Sequence, residues 1–124
     1  MRSFYDANLS EAVALVQPIA DGLSAAEWRA LDPKYLAAAL KIAMTFETMG
    51  LLVYRRVAPY DLAVELAGGL VQVLWRKLER YVREVREEQS HPAFAEWFEW
   101  LACTASKRKS GLEPAYLRCA DWEP

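Results

Sequence analysis

Residues 32–56 read DPKYLAAALKIAMTFETMGLLVYRR, and this stretch decides the fold. Asp32 is a helix-capping residue, and Pro33 stands at the first helical position, where its missing N–H costs nothing. At 100° per residue, Leu36, Leu40, Ala43, Gly50, Leu51 and Tyr54 fall on one arc. Tyr35, Ile42, Phe46, Met49 and Val53 widen it. The polar strip is narrow, made of Lys34, Lys41, Thr45, Thr48 and Arg55. A helix apolar over more than half its circumference needs neighbours on several sides, so this is the central helix of a bundle. Residues 35–54 are the most apolar in the chain, but Lys41, Glu47 and two threonines interrupt them. They read as a core helix and not as a membrane span.

On the N-terminal side, Asn8 and Ser10 are placed to cap a first helix with Leu9, Ala12, Val13 and Val16 on one face, and Pro18 ends it. After the Asp21-Gly22 turn, Ser24 and Glu27 have the spacing of a capping box, opening a short helix that carries Trp28 and Leu31. On the C-terminal side, Pro59 opens a helix over residues 60–67, with Asp61 suiting its positive end, and Gly68-Gly69 is expected to break or bend the chain. A strongly amphipathic helix follows over residues 70–89, where Val71, Leu74, Leu78, Tyr81 and Val85 recur at 3-4-3-4 spacing. Ser90-His91-Pro92 stops it and starts the last helix, with Phe94, Trp97, Phe98, Leu101 and Ala105 on one face and Lys107, Arg108 and Lys109 at its end. No segment sustains two-residue alternation. The expected architecture is all-α: a compact bundle of four main helices plus one or two short ones, over residues 1–111. Residues 112–124 form a C-terminal tail whose Tyr116, Leu117 and Trp122 dock it on the body.

With 124 residues the chain makes one domain that holds a core without metal or disulfide. Net charge is −2 and the isoelectric point about 5.5, which excludes a domain-wide basic footprint for nucleic acid. Cys103 and Cys119 form neither a disulfide framework nor a zinc pattern, which suits a reducing compartment. No basic stretch followed by an apolar run marks a signal peptide, so the expected location is cytoplasmic.

The stretch FETMGLLVYRRVAPYDLAVELAGGLVQVLWRKL, then a charged helix, then AFAEWFEWLA, resembles DUF4760, a family of uncharacterised bacterial proteins, over about residues 45–101. The matching features are Phe46-Glu47, Gly50, Leu52-Val53, the helix ending at Gly68-Gly69, Trp75, and the late Phe98-Glu99-x-Leu101. Many members carry a membrane helix ahead of this region, where this chain has a helix of soluble character. The resemblance implies an all-helical fold and no particular activity.

Glu47 lies in the middle of an apolar arc. A buried carboxylate must be paired or protonated, so it is either a packing specifier bonded to a Tyr, Trp or Arg, or a general base or ligand-anchoring acid with a raised pKa. Di-iron chemistry needs Glu-x-x-His on two helices, and the only histidine, His91, sits at a helix start, so no metal or cofactor is expected. His91 reads as a turn residue, and the two cysteines as inert thiols. No catalytic set comes together, so the chain reads as non-enzymatic. Arg76, Arg80 and Arg83 line one stripe, an anion or nucleic-acid contact by one reading. Glu79–Arg83, Arg80–Glu84 and Arg83–Glu87 have ion-pair spacing, which favours a self-neutralised face. Trp97 and Trp100, with Trp122 of the tail, are candidates for a partner surface, because tryptophan is enriched in binding hot spots; the alternative is that the tail, through Trp122 or Tyr116, covers Trp100.

The expected function is a small soluble interaction module, a regulator or immunity-type inhibitor, acting through a protein partner or a second copy of itself. The alternative is a bundle that binds a small molecule in a pocket near Glu47.

Overall fold

A computed structural model describes residues 7–109, and the tail expected to dock on the body lies outside them. The described residues form five helices and no strand: α1 (Ala7–Val16), α2 (Ala25–Ala30), α3 (Pro33–Tyr54), α4 (Tyr60–Glu88) and α5 (Glu96–Lys109). Four are long and one is short. The starts written locally in the sequence form as their chemistry requires. Ser24 Oγ accepts from the Glu27 amide at 3.1 Å while Glu27 Oε1 accepts from the Ser24 amide at 3.0 Å, closing the capping box of α2. Asp32 Oδ1 accepts from the Lys34 amide at 3.0 Å, with Pro33 at the first position of α3.

Helix α5 packs against both α3 and α4, α1 packs on α3, and α2 sits against α4. Glu47 meets Trp97 and Tyr54 meets Trp100, so α3 and α5 run in the same direction. Tyr60 meets Thr104 and Arg86 meets Phe94, so α4 runs against α5. The core between them holds Ile42, Phe46, Met49, Leu74, Trp75, Leu78 and Phe98, with Leu9, Val16 and Trp28 closing the other end. Helix α3 is long and apolar enough to span a membrane by composition (mean hydropathy 1.6), and 44% of that window is buried within this bundle.

Four expectations are corrected. Helix α1 begins at Ala7, so Asn8 and Ser10 lie inside it and do not cap it. Gly68-Gly69 does not break the chain: α4 is continuous from Tyr60 to Glu88. Each glycine weakens a helix by roughly 1 kcal/mol. That cost is offset at one end by the buried stripe Val71, Leu74, Leu78, Val82 and Val85, and at the other by Tyr60, whose hydroxyl donates to the Thr104 carbonyl at 3.0 Å. Helix α5 starts at Glu96 and not at Pro92, because residues 92–95 form a turn in which Ala95 takes φ 57°. The buried face of α3 is rotated from the expected arc. Ile42, Phe46, Met49 and Val53 form its centre with Ala38, Ala39, Ala43 and Gly50, while Leu40 and Tyr54 are exposed.

The rotation follows from where small residues let another helix come close. A Cβ on Gly50 would overlap the carbonyl oxygen of Trp97, so the α5 backbone rests directly on α3 at that point. We predict that Gly50→Ala forces the helices apart and costs about 1–3 kcal/mol, the usual range for overpacking a filled site. Urea unfolding would show this as a lower midpoint with an unchanged slope.

Candidate functional site

The first turn of α5 has no capping side chain of its own. The residues before it are Ala93, Phe94 and Ala95, and Ala95 takes a left-handed conformation that an alanine tolerates at some cost. Two backbone N–H groups of that turn are instead satisfied from α3. Glu47 Oε1 accepts from the Trp97 amide at 2.7 Å and from the Phe98 amide at 2.8 Å. The positive end of the α5 dipole and the carboxylate therefore meet inside the fold. Phe46, the neighbouring residue, stacks on Phe98 with ring centroids 5.6 Å apart. Burial pushes the Glu47 pKa above its ordinary value. The amides of Phe98 and Trp97 pull it back in part, the charge on Glu96 adds to the rise and Arg86 opposes it. Of the two sequence readings, the packing role has the supporting geometry, with backbone amides in place of the Tyr, Trp or Arg partner expected.

Trp97 and Trp100 are partly buried on the face of α5 that meets the end of α3. Their rings and that of Tyr54 form one cluster. Tyr54–Trp97 centroids are 4.5 Å apart, Tyr54–Trp100 5.9 Å edge-on, and Trp97–Trp100 6.1 Å edge-on. Tyr54 is nonetheless 55% exposed, and Val57 in the following connector is 71% exposed. Beside them lies an open groove of about 520 Å³, walled by Val53, Tyr54, Val57, Pro59, Tyr60 and Trp100. The connector is held in shape by the end of α3. The Arg56 amide donates to the Val53 carbonyl and the Val57 amide to the Leu52 carbonyl, with Arg56 at φ 61°. Exposed Arg56 stands among the residues that line the groove. Trp122 lies outside the described residues.

Two arginines of the stripe, Arg80 and Arg83, are paired within the molecule, while Arg76 is exposed and in no ion pair among the described residues. Arg80 pairs with Glu84 at 3.0 Å and lies 3.8 Å from Glu27, and it also donates to the Gly22 carbonyl. Arg83 pairs with Glu79 at 3.1 Å and reaches Glu99 at 3.6 Å, so its expected partner Glu87 is replaced by a residue of α5. Arg76, Arg80 and Arg83 do line a shallow cleft of about 330 Å³, shared with Glu79, Glu84 and Glu87. His91 follows the end of α4, where its amide donates to the Arg86 carbonyl at 2.9 Å. It lines a cavity of about 260 Å³ together with Glu47, Leu40, Met44 and Phe94. Among the described residues no group of three or more His, Cys, Asp or Glu side chains is placed to hold a metal ion.

Sequence reasoning missed Lys77, Arg86 and a second role of Glu84 beside its pair with Arg80, because these partners lie far along the chain or in the α4–α5 connector. Lys77 is 8% exposed and donates to the Ile19 carbonyl at 2.6 Å and to Asp21 at 3.0 Å. Glu84 Oε1 accepts from the Ala25 amide at 2.7 Å. Arg86 donates to the Phe94 carbonyl at 2.8 Å and pairs with Glu99 at 2.8 Å. Lysines are rarely so covered, but no spacing in the sequence marks this one.

A family model described as a domain of unknown function (DUF4760) matches residues 1–105. The match extends beyond the stretch that carried the resemblance, and takes in α1 and α2. No curated protein and no solved structure matches the chain.

Glu47→Ala leaves two amides of α5 without an acceptor, and we predict a loss of about 1–3 kcal/mol. Glu47→Gln keeps a carbonyl oxygen in place and stays near the parent. Because the folded-state pKa of Glu47 is raised, the folded form binds its proton more readily than the unfolded form. Its contribution favours folding at acid pH and is withdrawn as pH rises from the ordinary carboxylate value through the raised one. The stability of Glu47→Gln relative to the parent should therefore increase across that window, as read by denaturant midpoints at a series of pH values.

Proposed function

The chain belongs to the DUF4760 family, whose description assigns no activity, and from the geometry of its exposed face we propose that it is a small helical interaction module. Its contact surface in this reading is the groove of Tyr54, Val57, Tyr60 and Trp100. The observation that carries the reading is the exposure of Tyr54 and Val57 beside Trp97 and Trp100, with Arg56 in the groove lining. Tyrosine, tryptophan and arginine supply most of the energy of protein contacts, and here they stand on rigid helix ends, so little side-chain order is lost on binding. One arginine beside an apolar floor suits a protein segment that offers bulky apolar side chains and a carboxylate. The wider roles this allows are a regulator or an immunity-type inhibitor in the cytoplasm of a bacterium, acting on a protein partner or on a second copy of the chain.

The test is affinity capture from the native host with three baits: the parent, Val57→Asp and Tyr54→Ala. A partner, or an untagged copy of the chain, should be retained by the parent and fall at least about tenfold with either variant, equivalent to about 1.4 kcal/mol or more. Arg76→Ala, away from the groove, should keep it. Retention that ignores both groove variants would remove the reading.

A second reading draws on the cavity shared by Glu47 and His91. Its walls are apolar apart from a carboxylate and an imidazole, which suits a small amine-bearing molecule. Native mass spectrometry of the purified protein should then show an added mass that disappears in Met44→Trp, a variant that fills the cavity from an exposed position. A clean apo mass from a freshly purified, unheated sample would end it.

A further inference from the structure

We propose that the groove of Tyr54, Val57, Tyr60 and Trp100 takes a proline-rich segment of another protein in the polyproline conformation, with a carboxylate of that segment beside Arg56. This rests on reading the groove as a contact surface and adds the chemistry of what it contacts. Residues 55–59 offer a partner no backbone donor. The amides of Arg55, Arg56, Val57 and Ala58 all donate to carbonyls of α3, and Pro59 has no N–H. An extended segment therefore cannot pair with the connector in the alternating manner of an added strand, and its main chain has to be met by side chains. Four residues of the lining carry polar side-chain groups: Tyr54, Arg56, Tyr60 and Trp100. The Tyr60 hydroxyl already donates its proton to the Thr104 carbonyl. The donors that face a partner are then the Tyr54 hydroxyl, the Arg56 guanidinium and the Trp100 indole, and no carboxylate or carboxamide stands in the lining.

A proline-rich segment is the main chain that matches a surface of this kind. Proline has no N–H, and the polyproline helix makes no internal hydrogen bonds, so such a segment presents carbonyls that call for donors alone. A helical segment has satisfied its own carbonyls and leaves the same donors without backbone acceptors. The three rings of Tyr54, Tyr60 and Trp100, in an open groove of about 520 Å³ with Val53, Val57 and Ala58, give the aromatic and apolar lining on which pyrrolidine rings pack. Order is already present on both sides, because the connector is tied to α3 and the polyproline helix is preformed. Arg56 is the one charged residue of the lining, and it is exposed and in no ion pair among the described residues, which places the carboxylate of the partner. Other exposed arginines without ion pairs, Arg55 and Arg76, lie outside the lining. No two of the six prolines of this chain stand closer than ten residues, so residues 1–124 of a second copy offer no such segment.

Panning a random dodecapeptide library on the full-length protein tests this, with Tyr54→Ala as the counter-selecting surface. Val57→Asp, at a position 71% exposed, serves the same purpose if Tyr54→Ala folds poorly. Peptides kept by the parent and lost on the variant should carry proline at about three times its input frequency or more, repeated every third residue as one turn of the polyproline helix requires, with Asp or Glu next to the run. A synthetic peptide of that consensus should shift the NMR signals of the Trp100 indole N–H and of the Val57 and Ala58 amides. Its affinity should fall at least about tenfold when alanine replaces its prolines, and about fivefold or more on Trp100→Phe, which keeps a ring and removes the N–H, and on Arg56→Gln. A consensus with apolar residues at spacings of three and four and no excess of proline would overturn the proposal. So would an empty selection, or proline peptides that bind Tyr54→Ala and Val57→Asp as well as the parent. The host-capture baits separate the two levels. A groove-sensitive host partner alongside a selection without proline overturns the proline segment and leaves the contact surface standing. Failure of both the capture and the selection removes both.

Discussion

The bundle depends on a direct approach of two backbones. Helix α5 rests on α3 at Gly50, and the same turn of α5 is capped by Glu47 one turn earlier on α3. Phe46 adds a ring stacked on Phe98. Phe46-Glu47-x-x-Gly50 therefore acts as one docking element: a ring for the core, an acceptor for the first amides, and a gap for the carbonyl of Trp97. Everything else on α5 is placed by this contact. Trp97 and Trp100 come to the end of α3 because α5 starts there and runs parallel to it, and the groove exists because the 55–59 connector turns away at that level.

The third long helix holds the molecule together differently. Polar side chains of α4 reach into the connections between the other helices. Lys77 gathers the end of α1 and the following turn. Glu84 satisfies the first amide of α2, and Glu88 pairs with Arg29 through two hydrogen bonds of 3.1 and 2.7 Å. Arg86 holds the connector into α5. The exposed Arg29–Glu88 pair contributes little on its own, whereas the contacts of Lys77, Glu84 and Arg86 are part-buried. Their value lies in fixing loops that carry few apolar side chains. Arg80 and Arg83 of the arginine stripe likewise serve the body of the protein, while Arg76 stays exposed without an ion pair among the described residues.

What was legible in the sequence was what is local. Ser24 with Glu27, Asp32 with Pro33, and the apolar stripe of residues 71–85 each specify structure within a few residues, and each forms as read. The start of α5 was misplaced for the complementary reason: its cap lies 50 residues away in sequence, and nothing near Pro92 announces that the helix waits until Glu96. Glu47 stood out as a carboxylate on an apolar arc, but its partners are backbone amides, which no residue type advertises. Leu40 and Tyr54 were placed inward by periodicity alone. Small residues, not large ones, decide which side of α3 faces its neighbours, and so both face outward. The exposure of Tyr54, which makes the groove, could not have been read from spacing.

The borrowed cap also bears on how the chain is made. While synthesis has passed α3 but not yet reached Trp97, the surface that will receive α5 is an apolar strip with a bare carboxylate in its centre. A charge in that place keeps water on the strip and resists its sticking to other nascent chains, as gatekeeper residues do beside hydrophobic segments. When α5 emerges, its first amides hydrogen-bond the same carboxylate, and the strip is covered by its proper occupant.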